Sequence, residues 1–168
     1  MKTNLKNFAL LISGQAISLF GNAVLDFALA MYILEVTGSA AIFASVLAAA
    51  AIPTILLTPL GGILADRANR RNIMVALDLL SGISIVLAAL FFNNENSIAV
   101  ISVLLIILSV LGAFETPTVQ ACVPQMFSGD DLIKRNAVVN QISAVSYLAA
   151  PILGGILYSA IGIKPVIY

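Results

Sequence analysis

Five long apolar runs, separated by short polar segments, constrain this chain more than any other feature. They cover about residues 8–34, 40–65, 73–92, 98–119 and 137–160. A helix needs about 20 apolar residues to cross a bilayer, and each run reaches that length. Helices of soluble proteins are apolar on one face, whereas these runs are apolar all round. We therefore predict an all-α transmembrane chain with about five membrane helices.

The composition excludes several classes of function. Hydrophobic residues make up 61% of the chain, which places it outside the range of soluble domains. The net charge is zero and the basic residues stay in the polar segments, so no nucleic-acid partner is expected. Histidine is absent and Cys122 is the single cysteine, so we expect no intrachain disulfide, metal site or cofactor. No Ser/His/Asp set, phosphate loop or Walker lysine occurs either, and we predict a protein that is not an enzyme.

The lysines and arginines predict the orientation of the helices. With the N-terminus in the cytoplasm, seven basic residues lie inside and Lys164 alone lies outside, in a turn expected at residues 162–165. The seven are Lys2, Lys6, Arg67, Arg70, Arg71, Lys134 and Arg135. This excess of inside charge is typical of multi-pass membrane proteins and argues against a dual-topology transporter.

The turn between the second and third runs carries an unusual cluster of charge. It reads Gly61-Gly62-Ile63-Leu64-Ala65-Asp66-Arg67-Ala68-Asn69-Arg70-Arg71-Asn72. Asp66 is expected to cap the next helix and to pair with the arginines, and the two glycines should let the preceding helix approach a neighbour closely. Asn69 tolerates the left-handed conformation that a glycine would adopt at this turn.

The same turn resembles that of a known family. The pattern Gly62-x-Leu64-Ala65-Asp66-Arg67-x-x-Arg70-Arg71 is similar to G-x-L-A-D-R-x-G-R-K, between helices 2 and 3 of the major facilitator superfamily. Asn69 stands where that family usually has glycine. The resemblance implies a gating motif, a charge cluster that holds the inward side closed. Its members here are Gly62, Asp66, Arg67, Arg70, Arg71 and Asp78.

Two further segments resemble the macrolide-efflux and siderophore-exporter branch of that family. The first reads Phe114-x-x-Pro117-x-x-Gln120-Ala121-x-Val123-Pro124. The second, Ala150-Pro151-x-x-Gly154-Gly155, is similar to the helix 5 motif of drug antiporters, and Pro151, Gly154 and Gly155 carry that likeness. The resemblance implies that residues 1–168 are a partial N-terminal transmembrane domain, an incomplete six-helix bundle built as an inverted three-plus-three repeat. The string Gly-Gly-Ile-Leu, which follows Pro59 and recurs after Pro151, echoes such a repeat.

Three carboxylates lie inside the apolar runs, where an ionisable group is costly and therefore a candidate for function. Glu115 is the strongest candidate for binding protons or substrate, because it lies near Pro117 on a helix that lines the cavity in the family. A carboxylate bonded to a neighbouring helix is the alternative. Asp26 is expected toward the outer face, at the mouth of the cavity. Asp78 is expected to form a salt bridge with Arg70 or Arg71.

The remaining polar residues lie between helices 4 and 5 and on helices 1 and 5. Residues 121–136 are predicted to be amphipathic and partly irregular, with a capping box from Ser128 to Asp131. Polar residues on helices 1 and 5 either bind substrate or join helices through hydrogen bonds. They are Gln15, Asn22, Asn140 and Gln141.

Together these features predict a secondary active exporter of amphipathic small molecules, macrolide-like or siderophore-like, driven by proton antiport. Its expected surroundings are the lipid bilayer of a bacterial plasma membrane, its small-molecule substrate, protons and a C-terminal half that the chain does not contain. Because alternating access needs two bundles, the alternative is a truncated remnant or a small helical membrane protein without transport of its own. A pore made by oligomers is a third, weaker reading, because no helix carries a charged stripe.

Overall fold

The described part of the chain, residues 2–93 and 95–161 in a computed structural model, consists of α-helices joined by short turns. Side chains are described for residues 5–93 and 95–160. The helices are α1 (Lys2–Thr37), α2 (Ala40–Arg67), α3 (Arg70–Phe91), α4 (Ser97–Met126) and α5 (Gly129–Ile161). All five are long and apolar enough to cross a membrane, and the chain is a multi-pass membrane protein. The predicted turn at 162–165, with Lys164, lies outside the described residues, as does the side chain of Lys2.

Most of the helices extend beyond their predicted ends, and α1, α4 and α5 extend furthest. Residues 121–136, predicted to be amphipathic and partly irregular, are helical except for Phe127 and Ser128, which separate α4 from α5. The reason is burial: Val119 and Val123, near the end of α4, pack against Phe8 of α1. An amphipathic segment that has an apolar partner keeps its helical hydrogen bonds.

Two apolar clusters hold the helices together, one toward each end of the bundle. The Phe8 cluster lies at the end that carries the α2–α3 turn, and its buried members are Phe8, Val119, Val123 and Val139. The Leu29 cluster joins α1, α2, α3 and α4 nearer the other end, around Leu29, Ile33, Ile101 and Leu104. Along α1 and α4, the segment between the two clusters carries most of the buried polar side chains.

Two glycines make the closest helix contacts, and their positions follow the predicted repeat. A carbon added at Gly61 of α2 would lie 2.6 Å from the carbonyl oxygen of Ala113 in α4. A carbon added at Gly154 of α5 would lie 3.0 Å from the carbonyl oxygen of Val24 in α1. The second helix of each half therefore packs, through the first glycine of its Gly-Gly pair, on the first helix of the other half. This exchange is the arrangement expected of an inverted repeat.

Arg135 of α5 joins the ends of three helices, a role that the sequence did not indicate. Its guanidinium carbon lies 5.3 Å from the centroids of both the Phe8 ring and the Phe127 ring. The two rings themselves meet edge to face, with centroids 5.3 Å apart. Cation–π contact at this distance stabilises the packing of α5 against α1 and the α4–α5 turn.

Replacing Arg135 by Gln should lower the stability of the bundle by about 0.5 to 2 kcal/mol, because the charge over two rings is lost. Melting of the purified protein in detergent measures the effect. Lys134→Gln is the matched control, since Lys134 is exposed and the same charge is removed one residue away. Equal melting temperatures for the two variants would contradict the assignment.

Candidate functional site

Glu115 lies buried in α4 and accepts hydrogen bonds from α1. Its side chain is 8% exposed. The Gln15 Nε2 atom donates to Glu115 Oε1 over 3.2 Å, and the Ser18 hydroxyl lies 3.4 Å from the same oxygen. A buried carboxylate needs such donors, because its desolvation is otherwise not compensated. The structure thus contains the helix-to-helix bond that was the alternative reading of both Glu115 and Gln15.

Glu115 also faces a small pocket shared by four helices. The pocket has a volume of about 170 Å³. Its polar lining comes from α1, α2, α4 and α5 and consists of Asn22, Asp26, Thr54, Ser109, Glu115, Thr116 and Tyr147. Asp26 therefore lines the same pocket as Glu115, rather than only the outer mouth. Two carboxylates and no basic side chain among the described residues make this lining suited to protons or to a cationic group.

The two carboxylates occupy equivalent positions in the two halves. Gly154 contacts the carbonyl two residues before Asp26, and Gly61 contacts the carbonyl two residues before Glu115. The same helix contact thus places one carboxylate from α1 and one from α4 beside one pocket. Sequence alone did not relate them, because the register between α1 and α4 is visible only in these glycine contacts.

Asp78 does not make the salt bridge predicted for it. The ion pair found among the described side chains of this turn joins Arg70 to Asp66, and Asp78 accepts a hydrogen bond from the Ser18 hydroxyl over 3.2 Å. The prediction is wrong because α3 begins at Arg70, three residues before the expected start. Asp78 therefore lies two turns into the helix, facing α1.

The α2–α3 turn has the expected ion pair but a different cap. Arg70 donates to Asp66 over 3.4 Å, across the turn. Asn69, not Asp66, caps α3: its side chain accepts from the Arg71 N–H over 3.1 Å. Asn69 has φ −71°, so the left-handed conformation expected for it is not used. Arg67 ends α2 and is exposed.

An open cleft of about 860 Å³ lies beside this turn. Its polar lining consists of Asn7, Asn69, Arg70, Arg71, Asp78, Cys122 and Gln125. Asp78 thus faces the cleft from one side while its hydrogen bond to Ser18 leads toward Glu115. Arg70, Arg71 and Asp78 therefore line one cleft, and Asp78 connects that cleft to the buried carboxylate of Glu115 through Ser18.

The three residues of the helix 5 motif have separate roles in the packing. Gly154 lies against Val24 and Phe27 of α1, whereas a carbon at Gly155 would meet only the Phe27 ring, at 3.5 Å. Pro151 lies inside α5 and lacks the N–H that would bond to the Tyr147 carbonyl. The helix is therefore less constrained next to Tyr147, which lines the pocket.

Sequence reasoning missed several polar residues of this region, among them Ser18 and Tyr147. Neither belongs to a motif, and each is a common residue in an apolar run. One signal was present for Ser18: it follows Gln15 by three residues, which places both on one face of a helix. The spacing of Asn22 and Asp26 continues the same face.

Comparison with known proteins identifies the family. The sequence model of the Major Facilitator Superfamily matches residues 11–168 of this chain. Macrolide efflux protein A of Streptococcus pyogenes is 31% identical over 148 residues, which are 88% of this chain and 36% of that protein. Macrolide efflux protein A of Enterococcus faecalis is 29% identical over 109 residues, or 64% of this chain and 34% of that protein. The chain thus spans about a third of the length of these relatives, and no solved structure matches it.

Proposed function

Because the chain belongs to the Major Facilitator Superfamily, we propose that the natural protein containing it exports amphipathic small molecules by secondary active transport. The proposed source of energy is a proton gradient, which antiport couples to export. The superfamily consists of transporters rather than enzymes, and the described residues supply five helices of one of the two bundles between which alternating access occurs. The proposed location is a bacterial plasma membrane, with the N-terminus and the α2–α3 turn in the cytoplasm.

The buried carboxylate Glu115 carries this proposal. It faces a pocket formed by four helices, with Asp26 at the equivalent position on the other half of the repeat. An ionisable group held inside a membrane bundle is costly and is retained where protons or substrates pass. Two carboxylates at one pocket can exchange a proton for a cationic substrate, which is the chemistry of an antiporter.

The relatives favour a macrolide over a siderophore as the substrate. Both carry the name macrolide efflux protein, and a macrolide presents an apolar ring with hydroxyl groups and often an amine. The amine suits the two carboxylates, and a pocket of about 170 Å³ admits that group rather than the whole ring.

Efflux from intact cells tests the proposal. Cells that express the natural gene should accumulate less radiolabelled erythromycin than cells with an empty vector, and a protonophore should abolish the difference. Equal accumulation, with the protein present in the membrane, would contradict the exporter proposal. A difference that survives the protonophore would contradict proton coupling.

Asp66→Asn tests the gating motif. The change removes the charge that pairs with Arg70, so we expect the inward side to close poorly and efflux to be lost while membrane insertion is retained. Asp130→Asn is the control, because Asp130 is exposed at the same end of the bundle. Normal efflux by Asp66→Asn would remove the gate from the proposal.

A further inference from the structure

Ser18 links two carboxylates that come from different helices and face different cavities. Its hydroxyl oxygen lies 3.2 Å from Asp78 Oδ1 on α3 and 3.4 Å from Glu115 Oε1 on α4. Glu115 faces the pocket inside the bundle, and Asp78 faces the open cleft beside the α2–α3 turn. A polar connection between the two cavities therefore passes through this hydroxyl.

The number of protons in this group of three is limited by chemistry. A serine hydroxyl has one proton to donate, and an ionised carboxylate can only accept. If both carboxylates were ionised, the hydroxyl could donate its proton to only one of them. Its lone pair would then face the oxygen of the other carboxylate. One added proton, on either carboxyl group, satisfies both contacts. The geometry is thus complementary to a single shared proton.

Several other titratable side chains face this group and are part of its electrostatics. In the pocket they are Asp26 of α1 and Tyr147 of α5, and in the cleft they are Arg70 and Arg71 of α3 and Cys122 of α4. Helix α2 adds no titratable side chain to either lining among the described residues; its charges, Asp66 and Arg67, lie at its end.

We propose that Ser18 is a proton relay between Glu115 and Asp78, which connects the substrate pocket to the cleft at the α2–α3 turn. In the transfer, the O–H bond of the Glu115 carboxyl group breaks and its proton joins Ser18 Oγ. The original O–H bond of Ser18 breaks at the same time, and that proton joins Asp78. Glu115 is left ionised, Asp78 is neutral, and the hydroxyl is regenerated. This inference rests on the proposed antiport, because it provides the path by which the proton leaves the pocket.

A pair of isosteric variants tests the relay. Thr and Val have the same shape, and only Thr keeps the hydroxyl, so Ser18→Thr and Ser18→Val separate hydrogen bonding from packing. Ser18 is half-buried, and the two variants add the same volume there. Ser13→Val is the control on the same helix, because Ser13 is exposed and bonds to the backbone oxygens of Ala9 and Leu10. Melting temperatures verify that all the variants fold.

The first readout does not depend on transport. Dicyclohexylcarbodiimide modifies protonated carboxyl groups in apolar surroundings, and mass spectrometry of the purified natural protein locates the label. With the hydroxyl present, in wild type and Ser18→Thr, label should appear on Glu115 or Asp78, but on no more than one of them per molecule. Ser18→Val should change the labelled fraction by about threefold or more, since the shared proton is no longer held. Equal labelling of the Thr and Val variants at every pH would overturn the shared proton.

The second readout is erythromycin exchange in proteoliposomes, driven by a pH gradient. Ser18→Val should slow exchange about tenfold or more, and Ser18→Thr should recover most of it, while erythromycin binding stays the same. If wild type exchanges erythromycin and the Thr and Val variants are equally fast, the relay is wrong and the antiport proposal stands. If the Thr and Val variants differ in labelling as expected but wild type moves no erythromycin, the antiport proposal fails. The shared proton between Glu115 and Asp78 is then still supported.

Discussion

Glu115→Gln is expected to abolish proton-driven efflux while the protein still folds and inserts. Gln keeps the size of the side chain and can still bond to Gln15, but it cannot take up or release a proton. If protonation of Glu115 is coupled to substrate release, the lost coupling is about 1 to 3 kcal/mol, which is roughly 5- to 150-fold in the effect of the proton on substrate affinity. Accumulation of erythromycin in cells that express each variant measures the loss.

Glu95→Gln is the matched control for this experiment. Glu95 lies exposed in the turn between α3 and α4, and the substitution makes the same chemical change away from the pocket. Efflux by Glu95→Gln should equal that of wild type. Efflux by Glu115→Gln at the wild-type rate, with the same dependence on external pH, would show that Glu115 only joins helices.

Gly61→Ala is expected to have the largest effect on stability. The added carbon would lie 2.6 Å from the Ala113 carbonyl oxygen and 3.0 Å from the Phe114 Cα atom, and backbone atoms cannot move aside cheaply. We expect α2 and α4 to separate, with a loss of about 1 to 3 kcal/mol and less protein in the membrane. Thermal melting in detergent and the yield of inserted protein are the measurements.

Gly62→Ala provides the control at the next residue. A carbon there meets nothing within 4 Å, so the variant should melt close to wild type or slightly higher, since Ala favours helix over Gly. Gly154→Ala and Gly155→Ala allow the same comparison in the other half of the repeat. The difference in melting temperature should be smaller there, because a carbon added at Gly154 would lie 3.0 Å from its nearest neighbour. If Gly61→Ala and Gly62→Ala melt at the same temperature, the close contact of α2 with α4 is not important for stability.

The helices could be predicted from sequence because burial in lipid needs only length and hydrophobicity. The contacts between them could not, since an apolar run does not show which of its faces meets a neighbour. Gly61 and Gly62 are the same residue type in adjacent positions, yet one meets backbone and the other meets open space. Helix geometry separates them by a rotation of about 100°, and only packing sets which of the two faces meets a neighbour.

The candidate site shows the same limit. Glu115 and Asp26 could be chosen from sequence, because a carboxylate in an apolar run is costly wherever it lies. Their common pocket could not be predicted, since it depends on the register of α1 against α4. Asp78 was assigned to the wrong partner because proximity along the chain favoured the arginines, whereas three-dimensional packing places it beside Ser18.

Transport by the purified natural protein in proteoliposomes tests the central claim most directly. A proton gradient with an acidic interior should drive erythromycin into the vesicles, because protons leave as the substrate enters, and a protonophore should release it. Accumulation above the level of protein-free vesicles, lost in Glu115→Gln, is the predicted result. If the folded protein gives no accumulation that depends on the gradient, the proposal of a proton-coupled exporter is contradicted.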